Sequence, residues 1–147
     1  LTLLRLATVH PHRFRRLVIA GVGRNALERN DEAHARVLAA LESRAPDDDT
    51  AALLFAQYAR ADGNDQIALA AGFRREAPPF TPAELARATC PVLVAIGDKD
   101  FAGPADDLVG LLPNATLKVL RNTDHFATPE SFAFIDAALG FIDAQPA

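Results

Sequence analysis

The sequence predicts an α/β fold: a partial parallel sheet of about three strands, flanking helices and a long helical insertion. Three observations carry this. Leu17–Ala20, Val92–Ile96 and Ala115–Arg121 are short, mostly apolar runs rich in β-branched residues, each bounded by glycine, proline or asparagine. Such runs read as strands with helices on their faces. Stretches of helical period lie between them, so the strands are joined by crossovers and run parallel. Residues 24–89 carry no strand signal, which is far more than one crossover requires.

The elements follow in order. Leu1–His10 is apolar on most sides and reads as a buried helix ended by Pro11. Leu17–Ala20 is the first strand, stopped by Gly21 and Gly23. Four helices are expected next, at about Asp31–Ser43, Thr50–Arg60, Asn64–Arg75 and Pro82–Ala88, separated by Pro46 and "DDDT", by "ADGN" and by "APPF". "TPAE" at Thr81–Glu84 has the form of a capping box with proline at the first helical position. The second strand is "PVLVAIG", and a short helix follows between Pro104 and Pro113. The third strand leads to a C-terminal amphipathic helix. Thr128 is its expected N-cap, Pro129 its first residue, and Phe132, Ile135, Leu139 and Ile142 its inner stripe. Residues 1–23 and 90–147 therefore form an α/β part, and residues 24–89 a helical insertion. The insertion reads as a lid, because open α/β sheets place their sites at the carboxyl ends of strands.

Composition narrows the function classes. The chain of 147 residues is long enough for one domain, and 50% of it is hydrophobic. The net charge is -4, and the densest basic cluster, "HPHRFRR", is short, so a nucleic-acid partner is not expected. No apolar run approaches the roughly 18 residues of a membrane span. The single Cys90 excludes an internal disulfide and fits a reducing compartment. No charged leader precedes the first apolar stretch, so a cytoplasmic location is expected. No pair of histidines has ligand spacing on one helix and no glycine-rich phosphate loop is present, so no metal or cofactor is expected. His10, His12 and His34 read as surface or packing residues.

The chemistry is concentrated in two short stretches. Asp98 and Asp100 follow the second strand, and His125 follows the third. Neighbouring parallel strands lie under about 5 Å apart, so a carboxylate and an imidazole at their tips can meet. A carboxylate fixes the tautomer of a histidine, which can then deprotonate a nucleophile. Turn aspartates are common, so order and context must decide between chemistry and turn structure.

That context is a resemblance. "ATVHPHRFRRLVIAG" resembles the helix and strand that follow the nucleophile elbow of α/β-hydrolase-fold proteins. The helical insertion stands where that family carries its cap. "CPVLVAIGDKD" resembles the strand that delivers the acid, whose Gly-x-x-Asp pattern maps to Gly97 and Asp100. "LKVLRNTDHF" resembles the strand and loop that deliver the catalytic histidine, which maps to His125. The family's triad order is nucleophile, acid, histidine, and Asp100 precedes His125 accordingly. The family often has glycine before the histidine, where this chain has Asp124, read here as a turn residue.

No Gly-x-Ser-x-Gly occurs. Ser43 and Ser131 lack a strand–turn–helix setting, and Cys90 stands at the wrong end of its strand. The resemblance thus implies a nucleophile a few residues upstream of Leu1, serine by default and aspartate as the alternative. It implies the C-terminal part of a hydrolase of esters, amides or related bonds, acting on a small-molecule substrate. The alternative is a non-catalytic binding or interaction module on part of that fold. Leu53, Leu54, Phe55, Tyr58, Ile67, Leu69, Phe73 and Phe80 are the apolar residues that could line a pocket, though at helical spacing they read first as packing. Any that line it favour an apolar or aromatic substrate. A sheet of so few strands also leaves an edge free for self-association.

Overall fold

The structure, a computed structural model, describes residues 1–42, 49–75 and 77–143. In chain order its elements are α1 (Thr2–Val9), β1 (Leu17–Ala20), α2 (Asp31–Glu42), α3 (Thr50–Arg60), α4 (Gln66–Arg74), α5 (Pro82–Leu85), β2 (Val92–Gly97), α6 (Asp106–Leu111), β3 (Ala115–Leu120) and α7 (Phe132–Phe141). Two compact units result: Leu1–Glu28 with Pro79–Ala147, and Arg29–Pro78. The helical unit is narrower than the 24–89 insertion. Phe80 shows why, since its N–H donates to the Ala26 carbonyl at 2.8 Å and its ring is buried in the core of the first unit.

The first unit is built on a three-stranded parallel sheet in the order β1-β2-β3. All six residues of β2 are buried, as expected for a central strand covered on both faces. Leu17 and Ile19 of β1 alternate onto the same face as Val92, Val94 and Ile96 of β2. Leu4 and Ala7 of α1, Leu85 of α5 and Leu108 of α6 cover that face. Each fully buried leucine is worth about 1.5–3 kcal/mol over an exposed one. Helix α7 contributes nothing to this cluster and packs on β2 and β3. In the helical unit Val37, Leu41, Ala59 and Ala70 form a small core with Phe55, Leu69 and Phe73 against it. Leu53, Tyr58 and Ile67 are exposed. No helix among the described residues is long and apolar enough to cross a membrane.

Two expectations are corrected. Helix α1 is not buried all round: Leu4, Ala7 and Thr8 are, but Leu1, Leu3, Leu6 and Val9 face outward. The C-terminal helix starts later than expected and turns its other side inward. Thr128–Glu130 is a separate 3-10 turn, because the Thr128 hydroxyl donates to the Asp124 carbonyl instead of capping. Ser131 is the N-cap of α7, its Oγ accepting from the Phe134 N–H. Phe132, Ile135, Leu139 and Ile142 are exposed, Phe132 at 82%, whereas Phe134, Ala137, Ala138 and Phe141 are partly buried. The helix is apolar on both sides, so its period cannot say which side packs.

The capping box stands as read. The Thr81 hydroxyl accepts from the Glu84 N–H, and the Glu84 carboxylate accepts from the Thr81 N–H at 2.8 Å. Glu84 also pairs with Arg5 of α1 at 3.0 Å, and the Arg5 guanidinium lies 3.7 Å over the Phe80 ring. The returning chain is thereby fastened to α1. The Thr81 backbone N–H, then its hydroxyl, hold the Glu84 carboxyl below the usual carboxylate range. A depressed acid stabilises the fold above its ordinary value and ceases to do so as pH falls through the lowered one. The stability difference between the wild type and Glu84→Gln should therefore shrink to nothing on acidification, followed by urea unfolding across the acid range. Thr81→Ala should cost about 1 kcal/mol at neutral pH by the same assay.

Candidate functional site

Strands β2 and β3 end level, with Gly97 opposite Leu120, and β1 ends two residues earlier, with Ala20 opposite Ala95. Their following loops interlock. Asp98 N–H donates to the Leu120 carbonyl at 3.0 Å and Lys99 N–H to the Thr123 carbonyl at 3.1 Å. The approach is so close that a Cβ on Gly97 would stand 1.9 Å from the Thr123 oxygen. Glycine is required here by space, not by φ.

Past that contact the chain turns twice. Asp100 N–H donates to the Gly97 carbonyl and Gly103 N–H to the Asp100 carbonyl. The Asp100 side chain is driven inward, its own surface fully buried. Oδ1 accepts from the Ala102 N–H at 2.8 Å. His125 Nδ1 lies 3.0 Å from Oδ1 and 3.1 Å from Oδ2. A carboxylate only accepts, so Nδ1 carries the proton and Nε2 is left as the basic nitrogen. The structure thus brings Asp100 and His125 together as the sequence suggested.

The neighbouring aspartates have other partners. Asp98 binds across the gap between the loops, its Oδ1 accepting from the Thr123 N–H at 3.3 Å. Asp124 is a turn residue, accepting from the Phe126 and Ala127 N–H groups. His125 lines a cleft of about 160 Å³ with Ala20, Gly21, Thr128, Pro129 and Phe134. Phe101 and Phe126 place their rings beside the imidazole, at centroid distances of 4.5 and 5.6 Å. Neither phenylalanine was singled out from the sequence, and only adjacency to Asp100 and His125 could have suggested them.

Other candidates fall away. Ser131 is occupied as a helix cap, and Ser43 lies outside the described residues. Cys90 is buried at the start of β2, and burial pushes its thiol up. His34 packs on Phe73 in the helical unit. Among the described residues no three His, Cys, Asp or Glu converge as a metal site. A larger hollow of about 380 Å³ between α2 and α4 has its charged residues, Glu42 and Arg74, tied to each other at 2.6 Å.

Comparison with solved structures gives the likeness of this architecture. An enol-lactonase from Burkholderia xenovorans superposes with a TM-score of 0.69 at 18% identity, over 95% of this chain and 60% of its own. A 2-hydroxy-6-oxo-6-phenylhexa-2,4-dienoate hydrolase from Rhodococcus gives 0.66 at 22% identity, over 97% and 60%. A hydrolase from Pseudomonas aeruginosa gives 0.63 at 26%, over 96% and 60%. The chain spans about three fifths of the length of the solved structures it matches. No protein-family profile and no curated protein sequence matches it.

The Gly97 contact yields a direct test. Gly97→Ala should destabilise the protein by about 3 kcal/mol or more, since backbone stands on both sides of the clash. Gly110→Ala and Gly140→Ala, whose Cβ positions meet nothing within 4 Å on α6 and α7, should instead be neutral or stabilising by up to about 1 kcal/mol. Urea unfolding of the three variants measures the contrast.

Proposed function

The chain has the α/β-hydrolase fold, and on that premise we propose that it carries the acid and the base of a hydrolase acting on an ester, amide or related bond. The carrying observation is the Asp100–His125 pair at the carboxyl ends of adjacent parallel strands. In this reading Asp100 fixes the Nδ1–H tautomer of His125 and steadies the imidazolium. Nε2 takes the proton from a nucleophile as it attacks the carbonyl carbon, then returns it to the leaving group. A water activated by the same nitrogen releases the covalent intermediate. The nucleophile comes from polypeptide preceding Leu1: serine by default, whose hydroxyl gives up that proton; with aspartate, the alternative, the carboxylate attacks directly and Nε2 acts only on the hydrolytic water. The helical unit corresponds, by its place in the chain between β1 and β2, to the family's cap.

Phe101 and Phe134, beside His125 and in its cleft, favour a small apolar or aromatic substrate. The free edge of β1 and the outward faces of α1 and α7 favour association with further polypeptide. Location in the cytoplasm fits the single buried Cys90.

The test compares the 147-residue chain with a form extended upstream. The short chain should hydrolyse p-nitrophenyl esters no faster than an imidazole background and should run above monomer mass by light scattering. The extended form should be monodisperse, turn over, and lose roughly 100-fold or more in rate with His125→Gln. A His125-dependent rate in the short chain, abolished by a serine-directed reagent, would place the nucleophile within these residues. Inactivity of the extended form would leave a binding module.

A further inference from the structure

Holding His125 on Asp100 needs more than one hydrogen-bonded pair, because an imidazole with one tethered nitrogen still rotates about its side-chain bonds. Two residues outside the pair bear directly on the ring. The first is Gly21, at the end of β1, with φ at +64°. A Cβ there would stand 2.7 Å from Cε1 and 2.9 Å from Nδ1 of His125, and 3.5 Å from Oδ2 of Asp100. The Gly21 backbone cannot step aside, since its N–H donates to the Ala95 carbonyl of the central strand at 3.0 Å. Any side chain at this position therefore pushes on the imidazole, and on the two atoms next to the bond that orients it.

The second is Phe101, next in sequence to Asp100. Its ring lies 4.5 Å from the imidazole at an interplanar angle of 34°. Phe101 remains 47% exposed, so core burial does not account for its place. Its ring stands tilted against the imidazole.

We propose that Gly21 and Phe101 are positioning residues for His125: Gly21 leaves the seat that the ring occupies, and Phe101 restrains the ring's rotation from another side. The proposal rests on the reading of His125 as general base only for its catalytic consequence. The positioning is argued from the Gly21 clearance and the Phe101 ring contact alone.

The experiment uses the full chain with Gly21→Ala, Gly21→Asn and Phe101→Leu, and Asp100→Asn as the broken-pair reference. Asparagine tolerates left-handed φ better than alanine, so Gly21→Asn relieves backbone strain but keeps the intruding Cβ. Circular dichroism and thermal unfolding establish that each variant folds. The readout is the proton NMR signal of the His125 Nδ1–H, assigned by its loss in His125→Gln. It should be present in the wild type and absent in Asp100→Asn and in both Gly21 variants. In Phe101→Leu it should persist but exchange with water about threefold faster or more. A folded Gly21→Asn that keeps the wild-type signal overturns the role of Gly21. Unchanged exchange in Phe101→Leu overturns that of Phe101. Absence of the signal from the wild type overturns both.

A second arm separates positioning from catalysis. In the upstream-extended form, Gly21→Asn should lower kcat roughly 100-fold with KM within about twofold. A lowered kcat with the signal intact counts against positioning. A lost signal with no His125-dependent hydrolysis in any form upholds positioning and removes the general-base reading.

Discussion

The approach of the Thr123 carbonyl to Gly97 is the contact on which the strand tips depend. A parallel sheet aligns strand ends but says nothing about the loops beyond them. Here the absence of a side chain lets one loop lie on the other at a distance no Cβ would permit. The carbonyl then receives the Lys99 N–H, and the Thr123 N–H is taken by Asp98. These bonds join two loops that are distant in sequence, and the loops carry Asp100 and His125. Asp98 thus serves the site indirectly, by bracing the loop that ends in His125.

Burial then distinguishes Asp100 from Asp98. An ionised carboxylate with no exposed surface is costly unless hydrogen bonds surround it. Asp100 has the Ala102 N–H and the His125 Nδ1–H, and the latter spans both oxygens. Asp98 is exposed and accepts from the Thr123 N–H. The two residues are two positions apart, yet one faces an imidazole and the other a backbone amide. The turn from Gly97 to Asp100 makes that choice, since it rolls the chain inward after Lys99.

How much of this could be read beforehand depended on whether the signal was local. Leu17–Ala20, Val92–Gly97 and the Thr81–Glu84 box were legible because apolar runs and caps are written in adjacent residues. Strand order made it legible that a carboxylate and an imidazole could meet, but the choice of Asp100 over Asp98 came only from the resemblance to the Gly-x-x-Asp pattern. The inward side of α7 was not, because Phe132 and Phe134 are equally apolar and only tertiary packing chooses between them. Thr128 reads as a cap because its hydroxyl's partner, the Asp124 carbonyl, lies behind it in the loop. Gly21 was visible only as a strand end, and Gly97 as a strand end and as the glycine of the Gly-x-x-Asp pattern. What each leaves room for is a neighbour far along the chain, and spacing does not report that.

The site residues share one unit. Asp100, His125, Gly21, Phe101 and Thr123 all belong to the unit of Leu1–Glu28 and Pro79–Ala147. The bonds from Asp100 to the Ala102 N–H and to His125 lie within it. The carboxylate and the imidazole are oriented by these local bonds. Preorganisation of that kind is what proton transfer requires, because dipoles already aligned need not reorganise when charge develops. The cleft beside His125 takes an apolar character from Phe134 in its lining and from Phe101 against the imidazole.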